Sequence, residues 1–398
     1  MSFFLISNSE TKIIKSCELW KSLGWQTEYE LIGEGLYYAQ TISKKKTKYA
    51  CGLNRVYSHG TFFTKSSFEI EKIFEEVSIF DFDECESAKL YGHYAFIVLS
   101  HNSIRVITDP IGLINIYHTN NGEEYFISND LQAIAGLSEN FELSKKEVLH
   151  FALNESTSTT NTIFKDIFRL GVGHELFLRD HSIETKKLYS LKSEKLSFNE
   201  YTQKINDYFQ ALNNYQGRIA AELSAGFDTR LVASCAAANV KKLIGITNQN
   251  KFDHGVDEKI GRAVALKLNM KFYLITRPEI ESKIKDSLSY LLHLFSIGRN
   301  VFRSSAWRHI SQNKYKHADL ILGGYGGETL RAQYIDFSSL RDFVTNYYHA
   351  GDIKDVEIRE EFIKRRVSSI GSDLKEYLPA ELNKKLNFIY RNDDVGTN

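Results

Sequence analysis

Ser224-Ala225-Gly226-Phe227-Asp228-Thr229 is the stretch on which the reading of this chain turns. Before it, Arg218 to Leu223 has the composition of a short strand. After it, Leu231 to Ala238 is a run of small and apolar residues suited to a buried helix. A strand, a tight Ser/Gly loop and a helix opening at Thr229 make an anion cradle, because loop amides and the positive helix end point at one spot. The predicted contacts run from Leu223 through Ser224, Ala225, Gly226 and Phe227 to Asp228 and Thr229. An acidic side chain in such a cradle makes sense if Mg²⁺ bridges Asp228 and a pyrophosphate. Neither a Walker loop nor a dinucleotide fingerprint is present.

Working outward, the second half alternates helices and strands. Helices are predicted over 199–213, 231–238 and 257–268. Strands are predicted over 218–223, 242–247, 271–276 and 319–322. Such alternation predicts a doubly wound parallel sheet with ligands at the carboxyl ends of its strands. The last of these strands runs into Gly323-Gly324-Tyr325-Gly326-Gly327, so this second glycine loop falls on the same edge as the first. Ile246 and Thr247, at the end of the second strand, lie where adenine packs in such sheets, or are plain core.

The first half reads as β-rich. Residues 91–99 and 103–108 form strands around a turn at His101-Asn102, and 115–118 and 124–128 form another pair around Asn120-Asn121-Gly122. Leu131–Leu137 reads as a short helix. A further helix opens at Ser144, with Glu147 completing a capping box. The Lys-rich run 186–195 reads as a linker, giving domains at 1–195 and 196–398.

Equal counts of 50 basic and 50 acidic residues give no support to nucleic acid or a membrane surface as partner. The four cysteines form no C-x-x-C pair, and no apolar run is long enough to span a bilayer. The expectation is a cytoplasmic protein acting on small molecules, with a homodimer compatible with the sequence.

The two glycine loops resemble those of the asparagine synthetase-like family, which includes the β-lactam synthetases. The family's S-G-G-x-D-S falls on Ser224–Thr229, and its G-x-G-x-D-E-L-x-x-x-Y falls on Gly324–Tyr334 without gaps. The N-terminal half is similar too. Gly92–Phe96 matches G-x-F-A-F, Thr108–His118 matches R-D-x-x-G-x-x-P-L-Y-Y, Ile127–Ile134 matches F-A-S-E-x-K-A-L, and Thr162–His174 matches the family's T-x-[LIF]-F segment that ends in G-H. The resemblance implies a glutamine amidotransferase-like sandwich of the Ntn-hydrolase kind, followed by an ATP-pyrophosphatase sheet. It implies ATP and Mg²⁺ as cofactors, with Asp228 and Glu328 as metal-binding catalytic carboxylates and Gly324, Tyr325 and Gly326 beside the nucleotide.

Departures from the pattern sharpen the expectation. Glutamine-dependent members carry Cys-Gly after Met, where this chain has Ser2-Phe3, and the R-G-P-D segment has no counterpart. Ser2 lacks the following Gly, and Cys51 lies too near the Gly92 strand to be a displaced nucleophile. The N-terminal domain is therefore expected to lack glutaminase activity. Ala225 replaces a Gly, which is harmless only if its φ is negative. Glu328 and Thr329 stand where the family has Asp and Glu. Family members continue in a longer helical region after the second loop, so the C-terminal domain reads as shortened.

Other polar groups have plainer readings. Asp228 could cap its helix, Arg230 could be an exposed first-turn residue, and Asp257 and Glu258 suit a helix start, with Asp253 just before. Arg299, Arg303 and Arg308 could hold a carboxylate or line a solvated face. The reaction implied is adenylation of a carboxylate, releasing pyrophosphate, then attack by ammonia or an amine; aspartate with ammonia is the family default, as in asparagine biosynthesis. The alternative is a nucleotide-binding or scaffold relative without turnover.

Overall fold

The computed structural model describes residues 2–137, 142–144, 147, 160–249, 255–276, 316–324, 356, 357 and 360, apart from positions 23, 34, 43–46, 52, 53, 101, 102, 123, 181 and 190–195. Residues 1–144 and 159–324 make up one unit; residues 145–158 and 325–398 make up a second.

The first half builds two antiparallel sheets. In chain order its elements are β1 (Phe4–Ser7), α1 (Glu10–Ser22), β2 (Thr27–Gly33), β3 (Leu36–Thr41), β4 (Lys48–Cys51), β5 (Asn54–Phe63), α2 (Ile70–Glu76), α3 (Glu84–Ser87), β6 (Tyr91–Ser100), β7 (Ser103–Thr108), β8 (Tyr117–Asn120), β9 (Tyr125–Ser128), α4 (Leu131–Leu137), β10 (Phe168–Arg169), β11 (His174–Arg179) and β12 (Ser182–Lys187). One sheet runs β10-β8-β9-β1-β3-β2 and the other β12-β11-β7-β6-β5-β4.

Side chains alternate across these strands, so a strand covered on both faces must be apolar at every position. In β1, Phe4 and Ile6 enter the core between the sheets, together with Tyr57, Ile97 and Val106. Phe3 and Leu5 face the other way, onto α1 and α4 through Ile13, Trp20 and Ile134. The outer face of the second sheet is covered by α2, whose Ile70, Ile73 and Phe74 meet Val56, Phe96 and Val98. The layers are thus helix, sheet, sheet, helix.

The second half is parallel. After α5 (Phe198–Ala211) come β13 (Ile219–Glu222), α6 (Phe227–Asn239), β14 (Leu243–Asn248), α7 (Val256–Lys267), β15 (Lys271–Ile275) and β16 (Leu320–Leu322). The order is β15-β14-β13-β16, with every neighbouring pair parallel. Ser197 caps α5 in a reciprocal capping box with Glu200. Ile219, Ala221 and Leu223 pack with Phe209, Ala233, Ala236 and Ala265 of the three helices. Ala220 packs on the opposite face with Ile246, Ile275 and Ala318. An α/β chain with antiparallel sheets first and a parallel sheet after is the architecture the sequence predicts.

The two halves share apolar contacts. Phe63, at the end of β5, lies 5.6 Å from Tyr208 of α5, and Phe68 lies 5.0 Å from Tyr215, ring to ring. Lys65 pairs with Asp207 at 3.1 Å beside them.

Several elements differ from the sequence reading. Helix α6 begins at Phe227 rather than Leu231, because the loop closes in three residues and Gly226 already takes the extended N-cap conformation. The proposed linker at 186–195 begins later: β12 reaches Lys187, paired with His174, and Tyr189 is buried in the core under α2. Hydrophobic alternation explains this, since Leu188 and Tyr189 carry apolar surface that a charged neighbourhood disguises. The strands before Tyr91 carry many polar residues, and only their pairing identifies them.

Candidate functional site

Strand β13 is the point where the strand order reverses: the chain proceeds outward to β14 and β15, then returns to place β16 on the other side. At such a point the loops after the two adjacent strands part and leave a crevice at the carboxyl edge. The loops after β13 and β16 are the two glycine loops.

The first loop is held by a closed set of hydrogen bonds. The Leu223 amide donates to the Ile246 carbonyl at 2.8 Å, and the buried Thr247 hydroxyl donates to the Leu223 carbonyl at 2.9 Å. Gly226 N–H donates to Ser224 Oγ at 3.1 Å, Thr229 Oγ1 donates to the Gly226 carbonyl at 3.1 Å, and Ser224 and Thr229 hydroxyls lie 2.8 Å apart. With Thr229 Oγ1–H committed to the carbonyl, Ser224 is the donor of that last pair. Ala225 does not have positive φ, so its methyl group causes no backbone strain.

The Ala225 amide is not aimed into open space. It donates to Asp257 Oδ1 at 2.7 Å, from the first turn of α7. A helix start predicts an acidic residue there for the dipole; the fold uses it to clamp the loop. Glu258 instead pairs with Arg262 at 2.9 Å, and Asp253 lies outside the described residues.

Gly226 is the N-cap of α6, and no side chain caps the helix. Asp228 sits in that turn, half-buried. Phe227 is exposed, and the Arg230 guanidinium lies 4.5 Å over its ring while Arg230 Nε donates to the Gly226 carbonyl at 3.2 Å. Ile246 and Thr247 are buried and belong to the sheet's core and its hydrogen bonding.

Gly324, just after β16, reaches the first loop. A Cβ built on Gly324 would lie 2.6 Å from the Thr229 nitrogen and 2.8 Å from the Asp228 carbonyl carbon, closer than any side chain permits. The glycine is there because two backbones touch. Tyr325, Gly326, Glu328, Thr329, Arg299, Arg303 and Arg308 lie outside the described residues. For a hard cation with a phosphate, the chemistry of the residues present fits: the Asp228 carboxylate, the Ser224 and Thr229 hydroxyls and a helix start without a side-chain cap.

Sequence reasoning missed Gly261. A Cβ there would lie 2.4 Å from Thr247 Oγ1 and 3.3 Å from Leu223 Cβ, so α7 presses on the end of β13 only because it is Gly. A glycine inside a helical pattern was the available signal.

In the first half, Cys51 is exposed at the end of β4. Ser2, just before β1, has its Oγ 2.8 Å from Nδ1 of the buried His59. Burial pushes that imidazole down to about 3, so it is neutral.

Residues 61–189 match the glutamine amidotransferase domain. That match runs from the end of β5 to just past β12, with β6, β7, β11 and β12 of the second sheet and β8, β9 and β10 of the first. Among solved structures, the chain is similar to glutamine phosphoribosylpyrophosphate amidotransferase from B. subtilis, at 8% identity over 85% of this chain and 94% of that one, with a TM-score of 0.32. It is also similar to the NH3-dependent NAD synthetase from Campylobacter jejuni, at 17% identity over 50% of this chain and 96% of that one, with a TM-score of 0.24. At such identities and scores, what those proteins bind does not transfer to this chain. No curated protein matches the sequence. Among the described residues, no helix is long and apolar enough to cross a membrane.

Proposed function

We propose that the chain is an ATP-dependent amide-forming ligase of the asparagine synthetase type, with an amidotransferase-like domain over 1–195 and a synthetase domain over 196–398. A carboxylate is adenylated with release of pyrophosphate, and ammonia or an amine then takes the acyl group. The observation that carries this reading is Gly324 seated against Asp228 and Thr229 at the reversal of strand order. The Gly323-Gly324 pair after β16 meets the start of α6 there.

Ser224, Gly226 and Thr229 shape the loop at the start of α6, whose first amides would receive a pyrophosphate. Asp257 keeps Ala225 in place by accepting its amide. Asp228, and Glu328 from the second loop, would hold Mg²⁺, which supplies charge neutralisation for the leaving pyrophosphate. Arg230, fixed over Phe227 beside the N-cap, lies near enough to the helix start to add positive charge. Leu223, Ile246, Tyr325 and Gly326 complete the proposed nucleotide contacts.

The first half is proposed to lack glutaminase activity. A hydroxyl, not a thiol, stands at the head of β1. The pocket beside it is lined by Glu69 and Glu71 and, among the described residues, by no cation for the carboxylate of free glutamine. Ammonia or an amine from solution is then the nitrogen source. ATP–pyrophosphate exchange across a panel of carboxylic acids tests the ligase reading. Exchange stimulated by one acid supports it; binding of ATP without exchange for any acid replaces it with a nucleotide-binding scaffold.

A further inference from the structure

Three aromatic rings where the two halves meet are held in place yet only half-buried. Phe62, near the end of β5, is stacked 6.3 Å from Phe74 and lies edge-on to Phe96 at 5.0 Å. Phe68, in the turn that leads to α2, stacks on Phe63 at 4.3 Å with the ring planes 15° apart. Tyr215, from the second half, lies 5.0 Å from Phe68. Its ring crowds Gly217, where a Cβ would be 2.7 Å from Tyr215 Cε1 and 2.9 Å from Cζ. All three rings line a cavity of about 280 Å³.

Two carboxylates belong to the same lining: Glu69, the N-cap residue of α2, and Glu71, in its first turn. Acidic residues suit a helix start, but that dipole does not call for three aromatic rings around the same space. Among the described residues, the lining holds no Lys, Arg or His. Lys72, outside the lining, pairs with Glu69 at 3.0 Å; both side chains are well exposed, and such a pair holds weakly in water.

These walls select a chemical class. Aromatic faces carry negative potential and carboxylates carry negative charge, so both attract a cation. A bare metal ion is a poor occupant, because a hard cation exchanges water only for other oxygen ligands and not for ring carbons. A free amino acid would bring its carboxylate to two others. An organic ammonium ion, with its charge spread over methyl or methylene groups, satisfies the rings and the acids together. The volume restricts it to a small one.

We infer that this cavity is a binding site for a small alkylated ammonium ion, quaternary ions included, held by cation–π contact with Phe62, Phe68 and Tyr215 and by the charge of Glu69 and Glu71. The site goes beyond the ligase reading and does not rest on it. Four of the five side chains come from the first half, and Tyr215 comes from the segment just before β13. A bound ion therefore adds contacts across a join already made by Phe63 with Tyr208 and by Lys65 with Asp207. Because it binds only the assembled walls, it stabilises the folded chain.

The test is calorimetry on the full chain with choline and with its neutral isostere, 3,3-dimethylbutan-1-ol. The two match in shape and differ in charge, so choline should bind at least tenfold more tightly, and it should raise the melting midpoint. Tyr215→Leu should weaken choline at least fivefold, whereas Tyr215→Phe, which keeps the ring face, should bind like the parent. The double variant Glu69→Gln, Glu71→Gln keeps side-chain shape and should also lose at least fivefold, with an unchanged circular dichroism spectrum. Glutamine should not displace choline. Absence of choline binding, equal affinity for the neutral alcohol, displacement by glutamine, or parental affinity in the double Gln variant would overturn the inference. None of these outcomes bears on pyrophosphate exchange, which tests the ligase reading separately.

Discussion

Gly261→Ala separates a helix-propensity account of this protein from a packing account, because the two give opposite signs. Gly261 lies within α7, where replacing Gly by Ala gains about 0.5–1 kcal/mol from backbone entropy alone. In this fold the added Cβ would sit 2.4 Å from Thr247 Oγ1 and 3.3 Å from Leu223 Cβ. Either Thr247 rotates or α7 tilts away. Overpacking of this kind costs about 1–3 kcal/mol. Losing the Thr247 hydroxyl's bond to the Leu223 carbonyl adds about 0.5–1.5 kcal/mol. The packing terms win, for a net loss of about 0.5–4 kcal/mol.

Thr247→Ala supplies the control. It removes the atom that the methyl group added at position 261 would strike, so the double variant should be more stable than the two single losses add up to, by about 1 kcal/mol. Thermal unfolding followed by circular dichroism reads both quantities as shifts of the apparent midpoint. Either response loosens a hold on the 224–229 loop, through Thr247 on Leu223 or Asp257 on Ala225, so ATP affinity should fall in Gly261→Ala. A single variant that melts at or above the parent, or a strictly additive cycle, would refute the claim that α7 is pressed against the end of β13.

Gly324→Ala should reduce ATP affinity at least tenfold by forcing the second loop off the Asp228–Thr229 backbone; unchanged affinity in calorimetry would make that contact purely structural. Asp228→Asn should weaken binding of ATP with Mg²⁺ by about 1.5–3 kcal/mol, the worth of a charge-assisted contact, and equal affinity would remove the metal assignment. Pure protein should release no glutamate from glutamine; release above a Ser2→Ala control would contradict the absence of a thiol. The fold should also lose stability in mild acid. His118 and His59 are both pushed down by burial, to about 4 and about 3. The unfolded chain binds protons first, so stability is full above about pH 6.5 and declines as pH falls toward 4. A His118→Gln variant should show a flatter profile between pH 6.5 and 5 in urea titrations, and an unchanged slope would place the effect elsewhere.

The sequence by itself determined the type and order of most elements in the second half and the chemistry of its first loop. Alternating strand and helix patterns at 218–276 are local properties, written in the spacing of apolar residues. The hairpin of β6 and β7 was equally legible, with Ser100 opposite Ser103. Tertiary structure alone decided three things. It showed that β16 returns to lie beside β13, because a strand of three apolar residues does not specify its neighbour. It turned Asp257 from a helix-start acid into the partner of the Ala225 amide, since a carboxylate's donor can come from any distance along the chain. It also brought Ser2 to His59 and, through Tyr38 and Gln40, to Glu28. No spacing records that alignment, because these strand-borne or flanking residues meet only when β1, β2, β3 and β5 are packed around one core.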